Sequence, residues 1–466
     1  MRGAVNASCM SIGAQRLARS AKASAGVAIP ETTNMRLPQP RSAVFPRSGP
    51  SWDIVVASVF MVVVTASLIS AKTMAYMGVI FIALLMATLA ARGKLSLALL
   101  RPSGTTLPIA AFLAYATIAL SWTELPSDAA IKLATITMIG LTALVAVRAL
   151  SLEPPASAAR LAESLWIGFG VGLLYLFLRN VTNGDADTAI LPTAVHAFIK
   201  FDTGEVTRSI APVTLLLGPA LLAISAGFIK PWRTIFAAAI VMATVLAVAT
   251  SPHETSKLAL VMWFVVFGLA YISDRVSHKL VLAGWAAACL LVIPASIFAQ
   301  SQDLQNATWL QRTAQYRILI WNEFARLTLD APILGHGFDM AATSKPKIPG
   351  MAELPYLQDG RKIPSKLKPY RAIHPHNAYL QIWYELGAVG TGLFLAAGLS
   401  IMTSLSKLQP HQRPYMYATA AATTVMLFAS YGLWQVWFIG LLGFAALSSM
   451  IAIRLSAAPG AMAQAS

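Results

Sequence analysis

The sequence predicts an all-α polytopic membrane protein with about twelve transmembrane helices and one large outer loop containing a surface helix. Three observations carry that expectation. First, 57% of the 466 residues are hydrophobic and only 12% are charged, whereas soluble domains carry roughly 25% charged residues. Second, many apolar runs approach the length of about 20 residues that a bilayer requires. Third, Lys and Arg cluster in alternate connections. The formal net charge is +16. Because the basic residues flank apolar spans, membrane topology accounts for that charge and no nucleic-acid partner is expected. Cys9 and Cys289 form neither a disulfide framework nor a metal cluster.

Residues 1–50 are rich in Arg, Ser, Ala and Pro, with Glu31 the lone acid. They lack the continuous apolar core of a signal peptide. A disordered basic cytoplasmic tail is expected, or a basic surface against anionic lipid. Spans one to nine fall within 51–299, near 54–70, 74–91, 105–121, 129–147, 161–178, 209–227, 234–250, 257–272 and 280–299. The large outer loop occupies 300–377. Spans ten to twelve fall within 378–453, near 378–404, 416–432 and 434–453, and 454–466 is a second cytoplasmic tail. Each span is expected to be a helix, because a segment in hydrocarbon must satisfy its own backbone hydrogen bonds.

With the N-terminus inside, the inner connections hold Arg92, Lys94, Arg101, Arg148, Arg160, Lys230, Arg233, Arg275, Lys279, Lys407, Arg413 and Arg454. The shortest outer connections hold only Lys72. Both termini are therefore expected in the cytoplasm. Three outer regions break the pattern. They hold Arg179, Lys200 and Arg208; Lys257; and, within 300–377, ten cations including Arg317. Each alone is a solvated charge. Their convergence on one face points to an anion site, with phosphate the natural guest of a guanidinium fork.

The outer loop has internal order. Tyr316–Asp330 spaces Ile320, Phe324 and Leu327 as one helical face beside Trp321, which suits a helix lying on the membrane. Ala331-Pro332 ends it and Gly335-His336-Gly337 makes a turn. The segment 345–371 is basic and Pro-containing, a candidate flap. The loop then runs through His374-Pro375-His376-Asn377 into a span on which Asn377, Gln381 and Glu385 share one face at i, i+4 and i+8. Those polar groups either join helices or line a cavity. Gly387 and Gly390 permit another helix to approach. His376, at the membrane boundary beside this stripe, is the leading catalytic candidate.

Weaker signals stay weak. Asp185-Ala-Asp187 resembles a metal-binding acid pair but sits in a polar loop. His374-x-His376 lacks a third ligand, and His253-Glu254 lacks the second His of a zinc-protease motif. His336, between glycines, reads as structural. No metal or cofactor is expected.

Together, His376-Asn377-x-Tyr379-Leu380-Gln381, Glu385-x-Gly387-x-x-Gly390, Arg317-x-x-x-Trp321 and Pro332-x-x-Gly335-x-Gly337 resemble the O-antigen ligase and O-antigen polymerase superfamily of membrane glycosyltransferases. The resemblance covers roughly residues 200–453. It implies a bacterial inner-membrane enzyme with a periplasmic active site. The implied donor is a glycan on undecaprenyl diphosphate. The implied acceptor is lipid A–core for a ligase, or a growing polysaccharide for an O-antigen or exopolysaccharide polymerase. By resemblance His376 matches the family's catalytic His, which would accept the acceptor hydroxyl's proton or orient it, and Arg208, Arg317 and Lys257 would bind the diphosphate. Asn377, Gln381, Glu385 and Trp321 support them. Two departures weaken the correspondence: Thr207 stands where the family often has Asn, and Lys257 where many members have Arg. A polysaccharide transporter or flippase is the competing class. It would place ionisable residues within several spans, whereas most charges here sit at span ends.

Overall fold

A computed structural model describes residues 50–457, except 97–98, 100, 102, 153–154, 183–188, 190–207, 229–230, 352–355, 359–360 and 364–370. The N-terminal tail, nearly all of the C-terminal tail, Asp185, Asp187, Lys200 and Thr207 lie outside these residues.

Within them the chain is helical apart from one short antiparallel strand pair. Helices occupy all twelve expected span positions: α1 (Pro50–Ile69), α2 (Met77–Ala91), α3 (Thr106–Ile118), α4 (Pro126–Leu152), α5 (Pro155–Val181), α6 (Ala211–Gly227), α7 (Trp232–Ala249), α8 (Glu254–Ile272), α9 (Asp274–Ser301), α12 (Ala378–Leu405), α13 (Arg413–Ala429) and α14 (Val436–Ser456). Eight helices are long and apolar enough to cross a membrane, and three shorter apolar ones accompany them. Between α9 and α12 lie α10 (Arg312–Thr328), a short α11 (Met340–Ser344), and strands β1 (Tyr356–Gln358) and β2 (Arg361–Ile363). The strand pair is a local departure from the all-α expectation, in the segment read as a flap.

Helix α6 is the central post. Residues 211 to 224 are all buried, as expected of a helix that is apolar on every side. It packs on α5, α13 and α14, while α1 lies along α5, α8 along α13, and α9 along both α10 and α12. The helix ends at one side of the bundle are stitched together by hydrogen bonds. Ser209 Oγ donates to the Ile69 carbonyl at 3.0 Å, Asn180 Nδ2 to Ala247 at 3.1 Å, and Thr255 Oγ1 to Ala429 at 2.8 Å. Thr123 Oγ1 donates to Phe338 at 2.9 Å and Tyr115 Oη to Leu334 at 3.1 Å. The large loop therefore shares that end of the bundle with the 70–76, 119–125, 250–253 and 430–435 connections.

Helix α10 begins four residues before the expected start. It buries Ile318, Leu319, Ile320, Phe324 and Ala325 against α9 and α12. One face is thus covered by protein, with Arg326 on the exposed side.

Candidate active site

Helix α12 is broken. Gly387 has φ 62 within an otherwise helical run, and the 332–337 segment enters the break. The N–H groups of Ala388 and Val389 donate to the Pro332 and Ile333 carbonyls at 2.9 and 3.2 Å. In return, the N–H groups of His336 and Gly337 donate to the Tyr384 and Glu385 carbonyls at 3.0 and 2.9 Å. A Cβ on Gly387 would collide with the Ile333 carbonyl, and one on Gly335 (φ 74) with the Glu385 backbone. The two glycine motifs are therefore halves of one joint. This corrects the expectation for Gly387, which admits a loop and not a second helix.

The polar stripe sits behind this joint. Asn377 caps α12, its side-chain oxygen accepting from the Leu380 N–H at 3.1 Å. Gln381 Oε1 accepts from the Leu433 N–H at 2.8 Å, and its amide donates to Glu385 Oε1 at 3.0 Å. Glu385 is fully buried. It also accepts from the Asp339 N–H at 2.9 Å and from the Trp434 indole N–H. Asp339 in turn pairs with Lys132 of α4. Of the two readings of the stripe, joining elements is the one realised: Gln381 and Glu385 tie the 333–344 loop and the 430–435 connection to α12. His336 is likewise structural, its Nε2 bonded to the Leu327 carbonyl at 2.8 Å.

These ties place His376. Trp321 Nε1 on α10 donates to the Pro375 carbonyl at 2.9 Å. His376 itself adopts φ 55, a left-handed conformation that costs a non-glycine residue energy and is held only by its surroundings. Its Nδ1 lies 3.0 Å from the Ser430 carbonyl. A carbonyl only accepts, so Nδ1 carries the proton and the neutral ring presents an Nε2 lone pair. Among the described residues nothing bonds that Nε2. Burial lowers the His376 pKa; the Ser430 bond opposes this, and the nearby Arg317 charge adds to it.

A cavity of about 290 Å³ collects the predicted residues. Arg208, Arg317 and His376 line it, with His253, Glu254, His374, Ser430, Tyr431 and Gln435. Arg208 arrives immediately before α6 and Arg317 from the second turn of α10. Burial lowers the Arg317 pKa, though a guanidinium stays charged at any physiological pH. Lys257 does not line the cavity. Its ammonium is 2.8 Å from Glu254, so it neutralises the one carboxylate on the wall. Asn377, Gln381, Glu385 and Trp321 stand behind the wall, not in it.

Sequence reasoning missed several lining residues, among them His253, His374, Tyr431 and Gln435. His253 was set aside as half of a failed zinc motif, and His374 as part of a histidine pair without a third metal ligand. Here His253 bonds Ser256 Oγ at 2.7 Å and Tyr431 Oη at 3.3 Å. Burial pushes His253 down to about 4 and His374 down to about 3, helped by the neighbouring Arg317 and by His376 and Arg208 respectively. Both rings are neutral at neutral pH and add no charge. Tyr431 and Gln435 lie in the 430–435 turn. Only the excess of polar residues in that turn signals them in the sequence.

The fold and site define a class: a multi-pass membrane protein whose loop-capped end holds a cationic, histidine-bearing cavity. The O-antigen ligase family profile matches residues 237–395, so the chain is similar to that family over this segment. The match takes in Lys257, Arg317, Trp321, His376, Asn377, Gln381 and Glu385 but stops short of Arg208 and the 430–435 turn. A Rickettsia conorii protein named, by inference, as a polysaccharide ligase is 26% identical over 310 residues, covering 66% of this chain and 71% of that relative. Similarly named proteins of Rickettsia prowazekii and Rickettsia typhi are 29% and 28% identical, each over 38% of this chain and 42% of the relative. The chain thus spans under half the length of these last two.

Proposed function

We propose that this protein is a metal-independent, inverting glycosyltransferase of the ligase type. It would move a glycan from undecaprenyl diphosphate to an acceptor hydroxyl at the periplasmic face of the inner membrane, in lipopolysaccharide or surface-polysaccharide assembly. One observation carries the reading: an unbonded imidazole nitrogen and two arginines open into one cavity at one end of the bundle. The ligase names of the relatives support the choice of ligase over polymerase.

The acceptor hydroxyl attacks the anomeric carbon of the donor sugar from the face opposite the lipid diphosphate. His376 Nε2 takes the hydroxyl proton as the new glycosidic bond forms. The anomeric carbon–oxygen bond breaks and its electron pair leaves with the diphosphate. Arg208 and Arg317 stabilise the charge that grows there, the preorganised electrostatic assistance that usually contributes most. Lys257 cancels Glu254, so the wall facing the anion stays net positive. The neutral His253 and His374 line the wall without competing charge.

The test is reconstitution with undecaprenyl diphosphate oligosaccharide, with and without lipid A–core, and with His376→Ala as control. Transfer that needs both lipid A–core and His376 supports the ligase. A His376-dependent ladder without acceptor would mean a polymerase. Donor left intact in every tube would overturn the proposal.

A further inference from the structure

A second cavity lies at the opposite end of the bundle. It measures about 940 Å³, within the range of roughly 300–1,000 Å³ usual for small-molecule sites. Helices α7 and α8 are joined by the tight 250–253 turn at the active-site end and diverge away from it. The gap between them is walled by Ala237, Ala238 and Val241 on one side and Phe267, Ala270 and Tyr271 on the other, over a floor of Leu221 on α6. At its far end stand Arg233, His411 and Tyr415. Tyr415 and Tyr271 each pack edge-on against Phe267, at 5.1 and 5.2 Å. Among the described residues no carboxylate pairs with Arg233.

Physical chemistry narrows the occupant. A cleft between membrane helices does not stay empty, because its lining would forfeit dispersion contacts that lipid supplies. The walls between α7 and α8 are largely apolar, which suits an acyl chain. Trp232 and Tyr271 are 54% and 66% exposed, and exposed aromatic residues of this kind mark the headgroup level of a membrane. Arg233 and His411 therefore sit where a phosphate would lie, and a guanidinium selects an anionic headgroup.

We propose that this cleft holds one anionic glycerophospholipid of the cytoplasmic leaflet. Its acyl chain lies between α7 and α8, and its phosphate rests on Arg233 and His411. The site is remote from the His376 cavity and does not depend on the reaction assigned there.

The test is native mass spectrometry of the full chain, released from detergent micelles supplemented with phosphatidylglycerol or phosphatidylcholine. The wild type is expected to retain one phosphatidylglycerol and little phosphatidylcholine. Arg233→Gln should weaken phosphatidylglycerol retention about tenfold, the usual consequence of losing one charge-assisted hydrogen bond. Arg233→Lys should recover part of it, which separates loss of charge from misfolding. Ala238→Trp should fill the cleft and expel the lipid. Equal retention of the two lipids by the wild type, or unchanged retention in Arg233→Gln, would overturn the proposal. So would preferential uptake of a polyprenyl phosphate.

Discussion

One carbonyl sets the tautomer of His376. The bond from Nδ1 to Ser430 fixes the tautomer, and the backbone at φ 55 fixes where the ring sits. General-base catalysis is typically worth about 100- to 10,000-fold, so His376→Ala should lose turnover in that range while the thermal unfolding midpoint stays near wild type. Turnover within a factor of a few of wild type would remove His376 from the mechanism. The pH profile gives a second check. A base works deprotonated, and burial places the His376 pKa below its ordinary value of about 6.5. The acid limb of the rate profile should therefore lie below the usual histidine range. Arg317→Gln deletes a neighbouring charge that also lowers this pKa, so it should shift the limb upward and slow the reaction by about 100-fold or more. An unmoved limb in that variant would mean the two groups do not share a field. Of these residues, His376 and Arg317 were legible from their motifs. His253 and Tyr431 were not, because they lie 178 positions apart in sequence and meet only through packing.

At the scale of elements, the joint between the 332–337 segment and the break in α12 is the feature that matters most. Each glycine motif reads as a turn or a packing position by itself. Only folding brings the Glu385–Leu386 backbone into the space a Gly335 side chain would need, and the Ile333 carbonyl into that of Gly387. Gly387→Ala would place a Cβ at positive φ against a backbone carbonyl. The expected cost is at least about 2 kcal/mol, read as a lower thermal midpoint together with lost transfer activity. A variant as stable as wild type would show the joint to be soft. Glu385→Gln tests the stripe behind it. The buried carboxylate accepts from Asp339, Trp434 and Gln381, and an amide has only one accepting oxygen. At least one donor would be left unsatisfied, at about 1–3 kcal/mol each. Here the sequence offered two readings of Gln381 and Glu385, cavity lining or helix joining. Spacing alone did not choose, because both put the residues on the same face.

Across the whole molecule, the prediction concerns orientation. The cavity opens at the end that carries the large loop, and the basic connections are expected at the other. In a chain with Cys9 replaced, a single cysteine at Trp309, an exposed position on the large loop, should react with a membrane-impermeant maleimide from outside intact spheroplasts. One at Lys407 should react only after lysis. The reverse pattern would invert the topology. Cys289 is buried and should stay silent.

The sequence by itself determined the helical membrane architecture, where helices fall along the chain, and that Arg208, Arg317 and His376 were the residues to look for. Apolar length, charge asymmetry and short motifs are local properties, and a bilayer reads them locally. The tertiary structure decided what those residues do to one another. It decided that Lys257 is taken up by Glu254, that Asn377, Gln381 and Glu385 hold loops in place behind the cavity, and that His253, His374, Tyr431 and Gln435 complete its wall. Each outcome depends on distances between helices remote in sequence, and a periodicity along one helix carries no information about which partner faces it.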